Sequence, residues 1–210
     1  MSSKTIYLIR HGETDYNRRG VVQGSGIDAD LNALGQAQAH AFYDAYQHVA
    51  FDKIYTSALK RTHQSVAKFL EKGLPHQALP ELNEISWGGR EGKVPNSMDS
   101  EYYRMLIGSW RNGQTNLPAE GGESPDDVQR RLRVAVQHIL ENTHEHTVLV
   151  AMHGRAMRVL LATIFEQPLY AMDQFEHTNL GLYLLDYQYN NKKFVLHKTN
   201  DTTHLLTLPA

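Results

Sequence analysis

Cysteine is missing from all 210 residues of this chain. That absence excludes disulfide staples and thiolate metal sites, and it fits a reducing compartment. Excess charge is missing as well, with 21 Lys and Arg set against 23 Asp and Glu for a formal balance of −2. Such a balance exerts no global pull on nucleic acid or anionic lipid, so any anion site must be local. No apolar run approaches the roughly 20 residues of a membrane span. Met1 and a short "SSK" before the first apolar stretch leave no space for a charged and then hydrophobic leader. The expectation is a cytoplasmic protein with no nucleic-acid or membrane partner, working as a monomer or homodimer. No linker, repeat or low-complexity stretch divides the chain, so residues 1–210 are expected to form one domain with a substantial core.

What is present is concentrated at two places. Thr5 to Ile9, in "TIYLIRHGETDYN", reads as a strand buried on both faces, because it is short, aliphatic and without polar alternation. It stops on Arg10, His11 and Gly12. Near the other end, "TVLVAMHGRAMR" runs from a second such strand into His153 and Gly154, and then into helix. Two buried strands therefore finish on His-Gly.

Between them, "LNALGQAQAHAFYDAYQ" predicts a helix whose packed face carries Ala37, Ala41, Ala45, Phe42 and Tyr46. "FDKIYTS" predicts a strand, and Ser57 a cap for one helix over "ALKRTHQSVAKFLEKG", with Ala58, Val66, Phe69 and Leu70 inward and Gly73 at its end. "HQALPELNEISWGGREGK" reads as an extended segment entering a glycine-rich loop. Val94 to Glu120 has no clear pattern beyond a short helix in "SMDSEYYRMLIGSW". "GGESPDDVQRRLRVAVQHILEN" opens a helix with Ser124 as cap, Pro125 first, Asp126 and Asp127 at the positive end, and Val128, Leu132, Val136 and Ile139 in register. A helix stopping before Pro168 and a hairpin turned at Tyr189 to Lys192 close the chain. This alternation predicts an α/β fold: a three-layer α/β/α sandwich with a largely parallel central sheet and a C-terminal hairpin. Ligands of such sheets gather beyond the carboxyl ends of the strands, where His11 and His153 fall. Arg61 shares that rim if its strand is parallel.

Two guanidiniums at strand and helix starts match the oxygens of a phosphoryl group, and helix N-termini add N–H donors. An imidazole set among positive charges stays neutral and nucleophilic, so His11 is the candidate to attack phosphorus and carry it as phosphohistidine. The departing alkoxide needs a proton. Glu84, in the irregular loop, is the first candidate donor and Glu13 its rival.

These residues resemble a known family. "LIRHGETDYN", "SALKRT", "LNEISWGGREG", "GGES" and "MHGRAMR" occur in the order found in the histidine phosphatase superfamily, the phosphoglycerate mutase-like branch, from about Thr5 to the closing "NDTTHL". The resemblance implies the phosphoglycerate mutase-like fold and His11 as the phosphorylated residue. It implies a phosphate pocket completed by Arg10, Arg61 and His153, Glu84 as proton donor, and Asn17 as a further contributor. It places Gln23 at the substrate mouth and the backbone of Gly154 against phosphate. It implies residues 85–124 as an insertion covering the substrate. The phosphatase chemistry of such proteins needs no metal and no organic cofactor, whereas the mutases use a bisphosphorylated primer. The glycolytic mutases carry a longer, more basic segment after the acid, and here Glu84 to Glu123 offers only Arg90, Lys93, Arg104 and Arg111. Hydrolysis of a small phosphorylated metabolite is therefore the expected activity, with mutase-type transfer as the alternative.

Plainer readings stand beside these. Arg10 and His11 could satisfy loop carbonyls, Glu84 could be an idle loop carboxylate, and Asn17 a turn residue bonding its own backbone. His144 and His146 lie at a helix end and read as surface; His40, His48, His63 and His138 read as exposed or half-buried. Tyr102 and Trp110 read as packing residues that could also wall the substrate mouth. Two rival functions remain. A metallohydrolase using His11, His153 and Glu84 suffers from guanidiniums beside a cation. A silent phosphate-binding module would need a lost catalytic group, and none is lost.

Overall fold

The structure is a computed structural model that describes residues 3–93 and 97–208, without the side chains of 97 and 98. Six strands form one sheet in the order β3-β2-β4-β1-β5-β6: β1 (Ser3–Arg10), β2 (Lys53–Thr56), β3 (His76–Ala78), β4 (Thr147–Met152), β5 (Leu182–Gln188) and β6 (Lys193–Asp201). The first four are parallel, and the β5/β6 hairpin is antiparallel to them. Alternate side chains of β1 and β4 enter opposite cores, as period-2 geometry requires. Ile6, Leu8, Val148 and Val150 face one; Ile9, Leu149 and Ala151 face the other.

Helices cover both faces. The first core takes α6 (Pro125–Glu141) and α7 (Gly154–Ile164), together with α5 (Ser97–Arg111), which brings Leu106, Ile107 and Trp110. The second takes α2 (Ala33–Tyr46) through Phe42, and α4 (Ala67–Glu71) through Phe69. The expected three layers, parallel sheet and terminal hairpin are all present. The cap of α6 also forms as its sequence requires: Ser124 Oγ accepts from Asp127 N while the Asp127 carboxylate accepts from Ser124 N.

Three local expectations need correction. The buried face of α2 runs through Gly35, Gln38, Ala39 and Phe42, and Ala37, Ala41 and Ala45 are only half-buried. Backbone contact decides this rotation, since a Cβ on Gly35 would lie 2.1 Å from Glu13 O and one on Gly12 would lie 2.6 Å from Gly35 O. The helix after β2 begins only at Lys60, with Leu59 rather than Ser57 at its N-cap, and Ala58 is exposed. It then divides at Val66 into α3 (Lys60–Ser65) and α4. Side-chain hydroxyls compete with its backbone ladder: Ser65 Oγ donates to Arg61 O and Thr62 Oγ1 to Leu59 O. The helix expected in "SMDSEYYRMLIGSW" forms as α5, while Val94, Pro95 and Asn96 lie outside the described residues.

Candidate active site

The carboxyl ends of three adjacent strands converge. β1 ends on Arg10, with Met152 of β4 as its register partner, and His11 N continues the ladder to Met152 O at 3.0 Å. β2 lies on the other side of β4, and Ser57 N reaches Ala151 O at 3.3 Å. Parallel pairing thus brings His11, His153 and Ser57 to one rim, and the two imidazole centroids lie 5.1 Å apart. Arg61, in α3, is wholly buried beside them.

Hydrogen-bond partners dictate the tautomer of each ring. His11 Nδ1 lies 2.7 Å from Gly12 O. A carbonyl only accepts, so Nδ1 carries the proton and Nε2 keeps a bare lone pair. His153 is the reverse. Arg61 Nε donates to its Nδ1 at 3.2 Å, so Nε2 carries the proton and donates to Ser57 Oγ at 2.7 Å. Ser57 Oγ also accepts from Leu59 N and donates to Thr62 Oγ1, whose own proton goes to Leu59 O. Every atom of that circuit is satisfied. Burial first, and then the Arg61 and Arg10 charges, hold His11 well below the ordinary imidazole range; burial and Arg61 do the same to His153.

The guanidiniums are held in different ways. Arg61 spends one proton on His153 and two on carbonyls, Nη1 to Ile27 O at 2.6 Å and Nη2 to Gly24 O at 3.2 Å. Two of its five N–H groups remain. The carbonyl loop is fixed in turn by Glu91, whose carboxylate accepts from Gly26 N and Trp87 N. Arg10 gives Nη1 to His177 O and His177 Nδ1, while its buried Nε has no protein partner. An oxyanion is the ligand such an orphaned cationic donor suits. Burial pushes Arg10 and Arg61 each down to about 10, which leaves both protonated at neutral pH.

The loop entering β5 was not anticipated, and it clamps this strand end. His177 braces Arg10, Asn179 Nδ2 donates to His11 O at 2.9 Å, and Leu180 N donates to Arg10 O at 3.0 Å. Burial and the neighbouring arginines push His177 down to about 3. A signal existed in the polar "EHTN" before "LGLYLLDYQ", because a strand antiparallel to β1 must start at the rim where β1 ends.

Glu84 closes the opposite side. Its Oε1 accepts from Ile85 N and Ala156 N, both at 2.8 Å, and Oε2 accepts from Arg155 N at 3.0 Å. The carboxylate thus sits on the first turn of α7 and serves as acceptor for N–H groups that have no partner within the helix. Its loop is stapled from behind by Arg131, which donates to Glu81 O, Asn83 O and Glu84 O and pairs with both oxygens of Glu123.

A cleft of about 220 Å³ opens between these parts, lined by Arg10, Gln23, Glu84, Gly154, Arg158 and His177 among others. Asn17 is not part of that lining, and neither are the buried His11, Arg61 and His153: the Asn17 Oδ1 closes the capping box of α1 (Asp15–Arg18) on Thr14 N and takes a weaker bond from Asn179. Glu13 accepts from Asn32 Nδ2 and is likewise outside the cleft. Trp110 is wholly buried against Trp87, with its indole N–H on Leu117 O, so it packs and does not wall the mouth. His144 and His146 are exposed. The ligand set His11, His153 and Glu84 is not disposed for a metal, because Arg61 takes the one lone pair of His153 and its guanidinium charge would repel a cation held there. Among the described residues, no group of three or more His, Asp or Glu is placed to hold a metal ion.

Comparison with known proteins gives a consistent picture. The profile described as "Histidine phosphatase superfamily (branch 1)" matches residues 6–202. A Yersinia enterocolitica protein named "Probable phosphoglycerate mutase GpmB" is 31% identical over 212 residues, covering 98% of this chain and 96% of its own. The alpha-ribazole phosphatase of Shigella flexneri superposes with a TM-score of 0.81 at 26% identity, covering 94% of this chain and 96% of that one. Bacillus stearothermophilus YhfR gives 0.83 at 26%, covering 96% and 99%.

Proposed function

The chain belongs to branch 1 of the histidine phosphatase superfamily, and from that premise we propose that it hydrolyses phosphomonoesters of small metabolites through a phosphohistidine on His11. The observation that carries this reading is the wiring of the His11 ring, with Nδ1 tied to Gly12 O and Nε2 bare beside two arginines that keep N–H groups free. Nε2 attacks phosphorus, the P–O bond to the alcohol breaks, and Arg10 and Arg61 bind the equatorial oxygens as their charge redistributes. His153 acts by fixing Arg61. Glu84 gives the leaving oxygen its proton and later takes one from the water that cleaves the P–N bond, releasing phosphate. Its Oε2 meets one backbone N–H where Oε1 meets two, so Oε2 has room for that proton. Gln23 and the Gly154 backbone line the substrate's path, and Asn17 serves the pocket through the Thr14 turn and Asn179.

Residues 1–210 act as one unit in this reading, with 85–124 as the wall that covers the substrate. Hydrolysis is favoured over mutase transfer because three of the four basic groups of that wall are already paired, Arg90 with Asp99 and Glu120, Arg104 with Glu101, Arg111 with Asp173, and Lys93 is exposed. Phosphohistidine chemistry needs no cofactor. The partner is a phosphorylated metabolite, not nucleic acid or membrane, and the protein works in the cytoplasm as a monomer or homodimer. Among the described residues no helix is long and apolar enough to cross a membrane.

Rapid quenching in alkali during turnover should trap one phosphoryl group per chain, base-stable and acid-labile, on the peptide holding His11. Absence of that adduct, or its persistence in His11→Ala, would overturn the reading. Addition of bisphosphoglycerate should not convert hydrolysis into isomerisation.

A further inference from the structure

The reaction cleft does not end at the phosphate pocket. Val22, Trp87 and Tyr103 line both that cleft and a second chamber of about 350 Å³. The cleft alone falls below the roughly 300–1,000 Å³ usual for sites that bury a ligand, and the chamber reaches it.

The walls of the chamber are aromatic and braced. The Tyr102 hydroxyl accepts from Glu120 N at 2.8 Å, and the Arg90 guanidinium lies 3.8 Å over the Tyr102 ring. Trp87 lies 5.1 Å from Tyr103 between ring centroids and stacks on buried Trp110 at 5.6 Å. Rings fixed in this way supply a preformed apolar surface, which costs a ligand little ordering on entry. Charge points the same way. Arg90 is neutralised by Asp99 and Glu120, so it does not stand ready for a second anionic group. The other basic residue on this wall, Lys93, is exposed.

We infer that the substrate's alcohol carries a flat aromatic or heteroaromatic body, seated between Tyr102, Tyr103 and Trp87, with its ester oxygen reaching back past Val22 to Glu84. This rests on the phosphatase reading above and adds the class of leaving group to it. A compact polyhydroxy acid is the competing class; it would fit within the cleft and leave the aromatic chamber to water.

Propyl phosphate and 3-phenylpropyl phosphate test the choice, because both release a primary alkanol with the same need for a proton and differ only in the ring. The phenyl ester should show at least a tenfold higher kcat/KM, the scale on which an apolar pocket discriminates. Tyr102→Ala should bring the ratio to within about threefold of unity, and Tyr102→Phe, which keeps the ring, should preserve it. Val22→Trp, narrowing the passage, should lower the ratio independently should Tyr102→Ala fail to fold. Equal turnover of the two esters, or a ratio that neither Tyr102→Ala nor Val22→Trp moves, overturns the chamber assignment while the phosphatase reading stands. Failure to hydrolyse either ester, with no phosphorylated His11, brings down both.

Discussion

His11-Gly12 and His153-Gly154 end neighbouring strands of one sheet, and burial and the same arginines depress both imidazoles. Their wiring is opposite. The first ring donates from Nδ1 to its own chain and leaves Nε2 bare; the second has both nitrogens engaged, by Arg61 on one side and Ser57 on the other. Electrostatics alone therefore does not separate an attacking group from a positioning one. The hydrogen-bond partner of the far nitrogen does.

The sharpest way to break that comparison is to remove each ring in turn. His11→Ala should lower kcat/KM by at least about 10⁴-fold and abolish the trapped adduct, as loss of a covalent nucleophile does. His153→Ala should cost about 10²–10³-fold and leave the adduct detectable, since it loosens Arg61 without removing the attacking atom. Equal losses, with no adduct in either variant, would show that the two rings are not distinguished by their wiring.

A second contrast sets the rim against the loop that carries the proton. Glu84→Gln should slow alkyl phosphates by about 10²–10⁴-fold and nitrophenyl phosphate by less than about tenfold, because a phenolate leaves without protonation. Arg131, which holds three carbonyls of that loop, should reproduce the pattern in weaker form. Arg131→Met is expected to cost about tenfold on alkyl phosphates with nitrophenyl phosphate nearly unchanged, and a uniform loss on both substrates would reduce Arg131 to a structural support. Smaller again is Ser57→Ala. It frees His153 Nε2, and it should cost about tenfold in kcat while shifting the His153 ring-nitrogen NMR signals away from a pure Nε2–H tautomer.

Much of this arrangement was legible in the chain. Buried aliphatic runs ending on His-Gly placed two rings at one rim, and Ser124, Pro125 and Asp127 placed the start of α6. What escaped was long-range partnership. Ser57 has the composition of a helix cap, and only the pairing of β2 beside β4 turns it toward His153. The rotation of α2 depends on two glycine backbones in contact, Gly12 and Gly35, which no periodicity records. Arg131 lies on α6 in an ordinary amphipathic pattern, and its three carbonyl partners lie 47 to 50 residues away.

The last effect is on stability, and it tests whether His11, His153 and His177 are neutral in the folded chain. All three are depressed from 6.5, His177 to about 3, with burial the largest cause in each. Below pH 6.5 the unfolded chain takes up protons that the folded one refuses, so unfolding becomes easier as pH falls. Each such ring lowers stability through that window, which for His177 closes near pH 3. Carboxylates held low, such as Asp201 at about 2, add their own loss only below their ordinary value of 3.8. Between pH 6.5 and 5 the histidines therefore set the slope. Urea midpoints should fall steadily over that interval, and His177→Asn should make the fall shallower, since it deletes one of the depressed rings. A midpoint that stays flat from pH 7.5 to 5 would mean that the rings accept protons where they sit, and the bare Nε2 of His11 would then be unavailable for attack at those pH values.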